Sequence, residues 1–158
     1  MIEQKRSQKL KYYQNFIKMN LDEAILNCLA EFTNPENEVR QEAETNFKNI
    51  VDSNKSDEIL NSLFRIIDTN RQSIISFSAL IQLREYSFLV IASKLVDDEY
   101  LIFFRKTIQQ FITDSIFSEH IRKYMIDILA VLFVFSLNPQ NLPYPELFDF
   151  LDEIIQMP

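Results

Sequence analysis

The chain has 158 residues, 47% of them hydrophobic, which is enough to bury the core of one ordinary domain. It contains no glycine, which argues against phosphate-binding loops, dinucleotide-binding turns and tight hairpins and favours an all-helical fold. The net charge of −7 argues against nucleic acid as the main partner. An acidic surface suits basic protein partners, or it is simply the solvated face of several helices.

Two residue types that occur once limit the possible chemistry. Cys28 lies in the apolar stretch "AILNCLAEF" and is interpreted as a buried thiol in a reducing compartment. The only histidine, His120, is predicted to be an exposed residue in the first turn of a helix, so we expect neither a metal site built from several histidines nor a Ser–His relay. We therefore expect no enzymatic activity, no metal and no cofactor. A self-contained helical bundle with a ligand pocket, including an enzyme, is the rival interpretation.

Residues 1–19 are basic, with five Lys or Arg against Glu3, and are predicted to form a helical N-terminal extension. A transit peptide and a fraying tail are the alternatives for this segment. The longest apolar run, "YMIDILAVLFVFSL", contains Asp127 and is shorter than the roughly 20 residues of a membrane span. We expect a soluble, intracellular protein without membrane contact.

The first two predicted helices lie on either side of "TNPEN". The first runs from about Leu21 to Phe32, and the second is predicted to start with Asn34 as N-cap and Pro35 as its first residue. Its exposed face is predicted to carry i,i+4 ion pairs of Arg40 with acidic neighbours. Its buried stripe comprises Val39, Ala43, Phe47 and Ile50.

Five further helices are predicted downstream, and no segment alternates with the period of two that a strand requires. Their predicted bounds are about 56–67, 72–95, 97–116, 118–135 and 145–157. The "DDE" at 97–99 is interpreted as a helix cap rather than a calcium loop, which would need a glycine. The last helix is predicted to leave an apolar face without a partner, formed by Leu147, Phe148, Leu151, Ile154 and Ile155.

The helices pair into units of about 40 residues. "EVRQEAE" at 38–44 is matched by "HIRKYMID" at 120–127, a distance of about two repeats of the HEAT or armadillo type, although the middle unit lacks the shared arginine. We predict an all-α, right-handed α-α superhelix of about three and a half HEAT-type helix pairs, as a fragment of a longer solenoid. Its predicted parts are an extension at 1–19, repeats at about 20–53, 56–95 and 97–136, and the first helix of a fourth at 144–157.

At this point a family resemblance becomes visible. "ILNCLAEFTNPENEVRQEAETNFKNI" resembles the first HEAT repeat of the importin-β (karyopherin-β) nuclear transport receptors. "HIRKYMIDILAVLF" and "LPYPELFDFLDEII" are similar to the third repeat of that family and to its opening fourth pair. The resemblance covers roughly residues 20 to 156 and is nearest to the Ran-binding, importin-5-like branch.

The resemblance implies a binding function without catalysis. Receptors of this family bind the small GTPase Ran in its GTP form on the concave face of their first repeats, which releases import cargo. Basic protein cargo and nucleoporins would be bound through the rest of the receptor. The implied localisation is cytoplasm and nucleus, with shuttling between them.

Helical phase indicates which side chains could meet such a partner. The predicted partner-binding residues are Gln41, Glu42, Thr45 and Asn49 on the second helix and Lys123 and Asp127 on the sixth. Two alternatives stay open for them. They are ordinary solvated residues, or the chain is a HEAT or armadillo scaffold of another kind, such as a phosphatase subunit or a coat adaptor.

Overall fold

The computed structural model describes residues 20–157, so the predicted extension at 1–19 lies outside the described residues. Within 20–157 the chain forms seven α-helices and no strand, which confirms the all-α prediction. The helices are α1 (20–31), α2 (Asn37–Ser53), α3 (Ser56–Thr69), α4 (Ile74–Ala92), α5 (Asp98–Thr113), α6 (Glu119–Ser136) and α7 (Glu146–Gln156). The chain divides into two compact units, the first ending at Ala79 and the second beginning at Leu80.

The core of the first unit is built from the predicted apolar faces of α1, α2 and α3. Its buried members include Ile25, Leu29, Ala43, Phe47, Ile59, Leu60, Leu63 and Ile67. Phe32 and Phe47 meet edge to face at the end of α1, with ring centroids 5.8 Å apart. The period of 3.6 residues therefore identified the inward faces of these three helices, although Val39 and Ile50 of the predicted α2 stripe are only half-buried.

The start of α2 differs from the prediction. The helix begins at Asn37, with Glu36 as N-cap, rather than at Asn34 and Pro35. The Asn34 Oδ1 accepts the backbone N–H of Glu36 at 3.0 Å, so the side chain closes a local turn instead of capping the helix. The turn keeps Pro35 and Glu36 outside α2, so the helix starts two residues later than predicted.

Arg40 fixes the same turn from inside α2. Its Nη1 donates to the carbonyl oxygens of Asn34 at 2.6 Å and Pro35 at 3.0 Å. Its Nη2 donates to Asn37 Oδ1 at 3.1 Å. These bonds replace the ion pairs with acidic neighbours predicted for Arg40, because three acceptors of the turn already lie within reach of its guanidinium.

The end of α4 shows how the chain stops a helix without glycine. The N–H of Leu95 donates to the carbonyl of Val90 at 3.0 Å, and that of Lys94 to Ile91 at 3.2 Å. This bonding pattern is the Schellman motif, which needs a left-handed residue where glycine is usual. Lys94 occupies that position with φ of 51°. The motif ends α4 three residues before the predicted Leu95.

Among the described residues, α4 is long and apolar enough to cross a membrane when judged by length and composition alone. The buried core helix of a soluble protein satisfies the same criterion. About the middle of α4, Arg84 and Glu85 interrupt its apolar residues.

In the second unit α5 packs against α6. Both helices start at the predicted caps: Asp97 accepts the N–H of Tyr100 at 2.8 Å, and Ser118 accepts that of Ile121 at 3.3 Å. α5 ends at Thr113 rather than at the predicted Ile116. Beyond it, the Asp114 carboxylate accepts the N–H of Ile116 at 3.0 Å and turns the chain.

The last helix, α7, has its apolar residues on two sides. Leu147 and Phe150 are buried, whereas Phe148 is 61% exposed, Leu151 is 40% exposed and Ile155 is 80% exposed. The predicted exposed face is confirmed for the last three. It was wrong for Leu147, because Leu147 and Phe150 lie one turn apart and form the inward face together.

Candidate protein-binding surface

All six residues predicted to bind a partner are exposed. Gln41, Glu42, Thr45 and Asn49 share α2 in the first unit, and Lys123 and Asp127 lie one turn apart on α6 in the second. The Thr45 hydroxyl donates to the carbonyl of Gln41 at 2.8 Å, so it is held against the helix. The structure therefore gathers these residues into an α2 patch and an α6 patch.

Packing explains why α2 presents these four side chains. Ala43 and Phe47 point into the core, so the residues on the opposite side of α2 face outward. The Arg40 bonds to the preceding turn hold the start of the helix in place. The α2 patch is therefore a polar surface on a well-anchored helix.

Glu42 also stands at the rim of a small cleft of about 220 Å³ between α1 and α2. Glu31 brings a second carboxylate to this cleft, and Asn27 and Asn46 bring amides. Acceptors of this kind suit the cationic or amide side chains of a protein partner. Cys28 also lines the cleft but is only 7% exposed. Burial raises the pKa of its thiol, which is typical of an unreactive structural cysteine.

A second polar cluster of the first unit joins α1 to α3. Asp22 binds Arg65 through both carboxylate oxygens at 2.7 Å, and it also accepts the hydroxyl of the fully buried Ser62. A cleft of about 300 Å³ lies beside this cluster. Because Asp22 already has two partners, we assign the cluster to holding α1 on α3 rather than to binding.

The second unit contains a buried arginine that sequence reasoning did not single out. Arg105 is 1% exposed and donates to the carbonyls of Pro143 at 2.7 Å and Leu142 at 2.9 Å. Its guanidinium lies 4.2 Å from the centre of the Tyr144 ring, a cation–π contact. Burial lowers the pKa of Arg105, and the nearby Glu146 opposes that shift. We name this set of contacts the Arg105 clamp.

Tyr144 is held from a second side. Gln109 Nε2 donates to its hydroxyl at 2.7 Å, and burial raises the pKa of the phenol to about 12. The clamp thereby fixes the three residues that lead into α7 against α5. A signal for it was present in the sequence, since Arg105 falls on the apolar face of α5 between Leu101 and Ile108.

A cleft of about 410 Å³ adjoins the clamped loop in the second unit. Lys94 and Asp98 bring opposite charges to it, and Gln140 and Asn141 bring side-chain amides. The Asn141 amide already donates to the carbonyl of Phe135 at 2.9 Å. The cleft is thus mixed in character, with no excess of either charge.

The described residues provide no group of three His, Cys, Asp or Glu side chains that could hold a metal ion. His120 is exposed in the first turn of α6, as predicted, with its ring 5.3 Å from that of Tyr124. Comparison of the chain with protein families, with curated proteins and with solved structures gives no match.

Proposed function

We propose that the chain is a protein-binding module of stacked HEAT-type helix pairs, arranged as a right-handed superhelix and acting as part of an importin-β-like nuclear transport receptor. Its partner is the small GTPase Ran in the GTP form, bound through the α2 and α6 patches. The resemblance of residues 25–50 and of the stretches beginning at His120 and Leu142 supports this assignment. Helices joined by short connections are the architecture that such a module needs.

The observation that carries the proposal is the α2 patch. Its four polar side chains are all exposed on a helix whose opposite side is locked into the core. A GTPase bound there is recognised by charge and shape, without a deep pocket, and needs a surface that keeps its geometry. The Arg40-fixed turn gives α2 that rigidity.

Binding of Ran would weaken cargo binding through a change in curvature that is transmitted along the stacked helices. Ran in its GTP form occupies the module, and the altered stacking lowers the affinity for basic cargo held elsewhere in the receptor. Nucleoporin contacts also belong to the rest of the receptor, which shuttles between cytoplasm and nucleus. The mechanism needs no catalytic residue, cofactor, nucleic acid or membrane.

Charge reversal tests the two patches. We expect Glu42→Lys and Lys123→Glu each to weaken binding of GTP-loaded Ran by about fivefold to tenfold, because each turns a rim attraction into a repulsion. Glu44→Lys and Lys106→Glu are the matched controls, since both residues are exposed and lie outside the patches. Calorimetric titration that finds all four variants equal to the parent chain would refute the assignment of these patches.

A further inference from the structure

A second cleft of the second unit is a groove of about 560 Å³ formed by the end of α5, the first turns of α6 and the end of α7. Its lining residues are Ile112, Glu119, Arg122, Lys123, Ile126, Ile154 and Met157. We call it the α6–α7 groove. It lies entirely within residues after Leu80.

The floor of the groove is apolar and accessible. Ile126 is 49% exposed and Met157 is 50% exposed, and Ile154 is half-buried. Exposed apolar side chains in a concave surface indicate a binding site, because covering them with a partner removes apolar area from water. Ile112, at the end of α5, is buried and closes the bottom of the groove.

The charge at the rim runs against that of the whole chain. Arg122 and Lys123 are adjacent cations on the groove, with Glu119 as the acidic member of the lining, whereas the protein carries a net charge of −7. An acidic partner would be repelled by most of this surface and attracted here, which favours one docking position.

Arg122 adds a second, independent observation. Its Nε is buried and has no hydrogen-bond partner, although Arg side chains usually satisfy such donors. Its counterpart in the repeat comparison, Arg40, uses its guanidinium to bond a neighbouring turn. The buried Nε cannot reach a partner, but Arg122 as a whole is only half-buried and lines the groove, so its guanidinium charge can pair with a carboxylate bound there.

We propose that the α6–α7 groove binds an acidic amphipathic segment of a partner protein. Apolar side chains spaced one helical turn apart cover Ile126, Ile154 and Met157, and carboxylates on the flanking positions meet Arg122 and Lys123. The groove shares Lys123 with the α6 patch, so Lys123→Glu bears on both proposals, whereas Ile126→Ser bears on the groove alone. This inference does not rest on the proposed binding of Ran, because its recognition chemistry involves neither a GTPase nor a nucleotide.

The test uses the full chain and three fluorescein-labelled synthetic helical peptides of about 18 residues, long enough for five turns. The first places Leu at helical i, i+3, i+4 and i+7 spacing among Glu residues. The second replaces Glu with Lys, and the third replaces Leu with Ser. By fluorescence anisotropy we expect the first peptide to bind at least about tenfold more tightly than either of the others.

Variants locate the binding in the groove. Lys123→Glu and Ile126→Ser should each weaken the first peptide by about fivefold or more. Lys106→Glu and Val134→Ser make comparable changes, a charge reversal and the loss of an aliphatic side chain, at exposed positions outside the groove, and both should stay within about twofold of the parent chain. The substituted side chains are all exposed, and circular dichroism verifies that each variant is folded.

Three outcomes would overturn the proposal. Equal affinity for the acidic and basic peptides would show that Arg122 and Lys123 do not select an acidic partner. Equal affinity of the groove variants and the parent chain would place the binding elsewhere. Sedimentation equilibrium showing a dimer that Lys123→Glu dissociates would identify a second copy of the chain as the occupant. Loss of Ran binding with peptide binding intact would leave this proposal standing and count only against the proposed function.

Discussion

Replacing Arg105 by methionine is the most informative perturbation of the fold, because within residues 20–157 the Arg105 clamp is the one place where a nearly fully buried cation organises a loop. Methionine keeps much of the volume of arginine and removes the charge and all five donors. The carbonyls of Leu142 and Pro143 then lose their partners, and the ring of Tyr144 loses its cation.

The magnitude follows from opposing contributions. Each hydrogen bond from a charged donor contributes about 1.5–3 kcal/mol net, and a desolvated cation–π contact contributes about 2 kcal/mol. Removing a buried charge relieves a desolvation cost of several kcal/mol, which offsets much of that loss. Pro143 is an exposed residue, so water can replace part of what its carbonyl loses, whereas Leu142 is half-buried. We expect a net destabilisation of about 2–3 kcal/mol.

Urea unfolding followed by circular dichroism measures this free energy. The slope of the unfolding free energy against urea concentration should be unchanged, because the parent chain and the variant expose similar areas on unfolding. Lys106→Met is the matched control on the exposed side of α5 and should change stability by less than about 0.5 kcal/mol. Arg105→Lys keeps the charge without the planar fork and should lose about 1 kcal/mol or more. A methionine variant as stable as the parent chain would refute the reasoning, since the buried cation would then be no net stabiliser.

Three further predictions concern single contacts. Burial raises the pKa of Tyr144 to about 12, above the value of about 10 in an unfolded chain, so the neutral phenol stabilises the fold fully below pH ~10 and this stability is lost between pH ~10 and 12. The stability of Tyr144→Phe should not fall in that pH range, and a pH–stability profile identical to that of the parent chain would contradict the shift. Lys94→Gly should stabilise the chain by about 0.5–1 kcal/mol by relieving the left-handed φ, whereas Lys94→Ala should be close to neutral, as thermal unfolding can establish. Asp22→Ala should lower the free energy of unfolding by about 1–3 kcal/mol because buried Ser62 loses its acceptor. Asp68→Ala breaks the exposed ion pair with Arg71 and should lower it by less than about 0.5 kcal/mol, as urea unfolding measures. Equal losses would show that the α1–α3 cluster stabilises the fold no more than an exposed ion pair does.

Sequence periodicity predicted the helices and most of the buried faces because burial of apolar side chains decides both. Ala43 and Phe47 on α2 and the start of α3 at Ser56 follow directly from that pattern. The caps at Asp97 and Ser118 were predictable for a similar reason, since a side-chain oxygen satisfies a helical N–H only a few residues away.

The features that the sequence did not predict depend on geometry beyond one helix. Asn34 had two local uses for its side chain, capping or turn formation, and the contacts of Arg40 with the turn decide between them. The Arg105 clamp joins residues 37 to 39 positions apart, and no local pattern specifies which carbonyls a buried guanidinium will reach. The α6–α7 groove combines the ends of three helices, so its lining is visible only in the fold.

The central claim is that this chain binds Ran in a nucleotide-dependent way, and one titration tests it most directly. The full chain is titrated against Ran loaded with GTP and, separately, against Ran loaded with GDP. We expect affinity at least about a hundredfold higher for the GTP form, a difference of roughly 2.7 kcal/mol in binding free energy. Equal affinity for the two forms, or no binding to either, would contradict it.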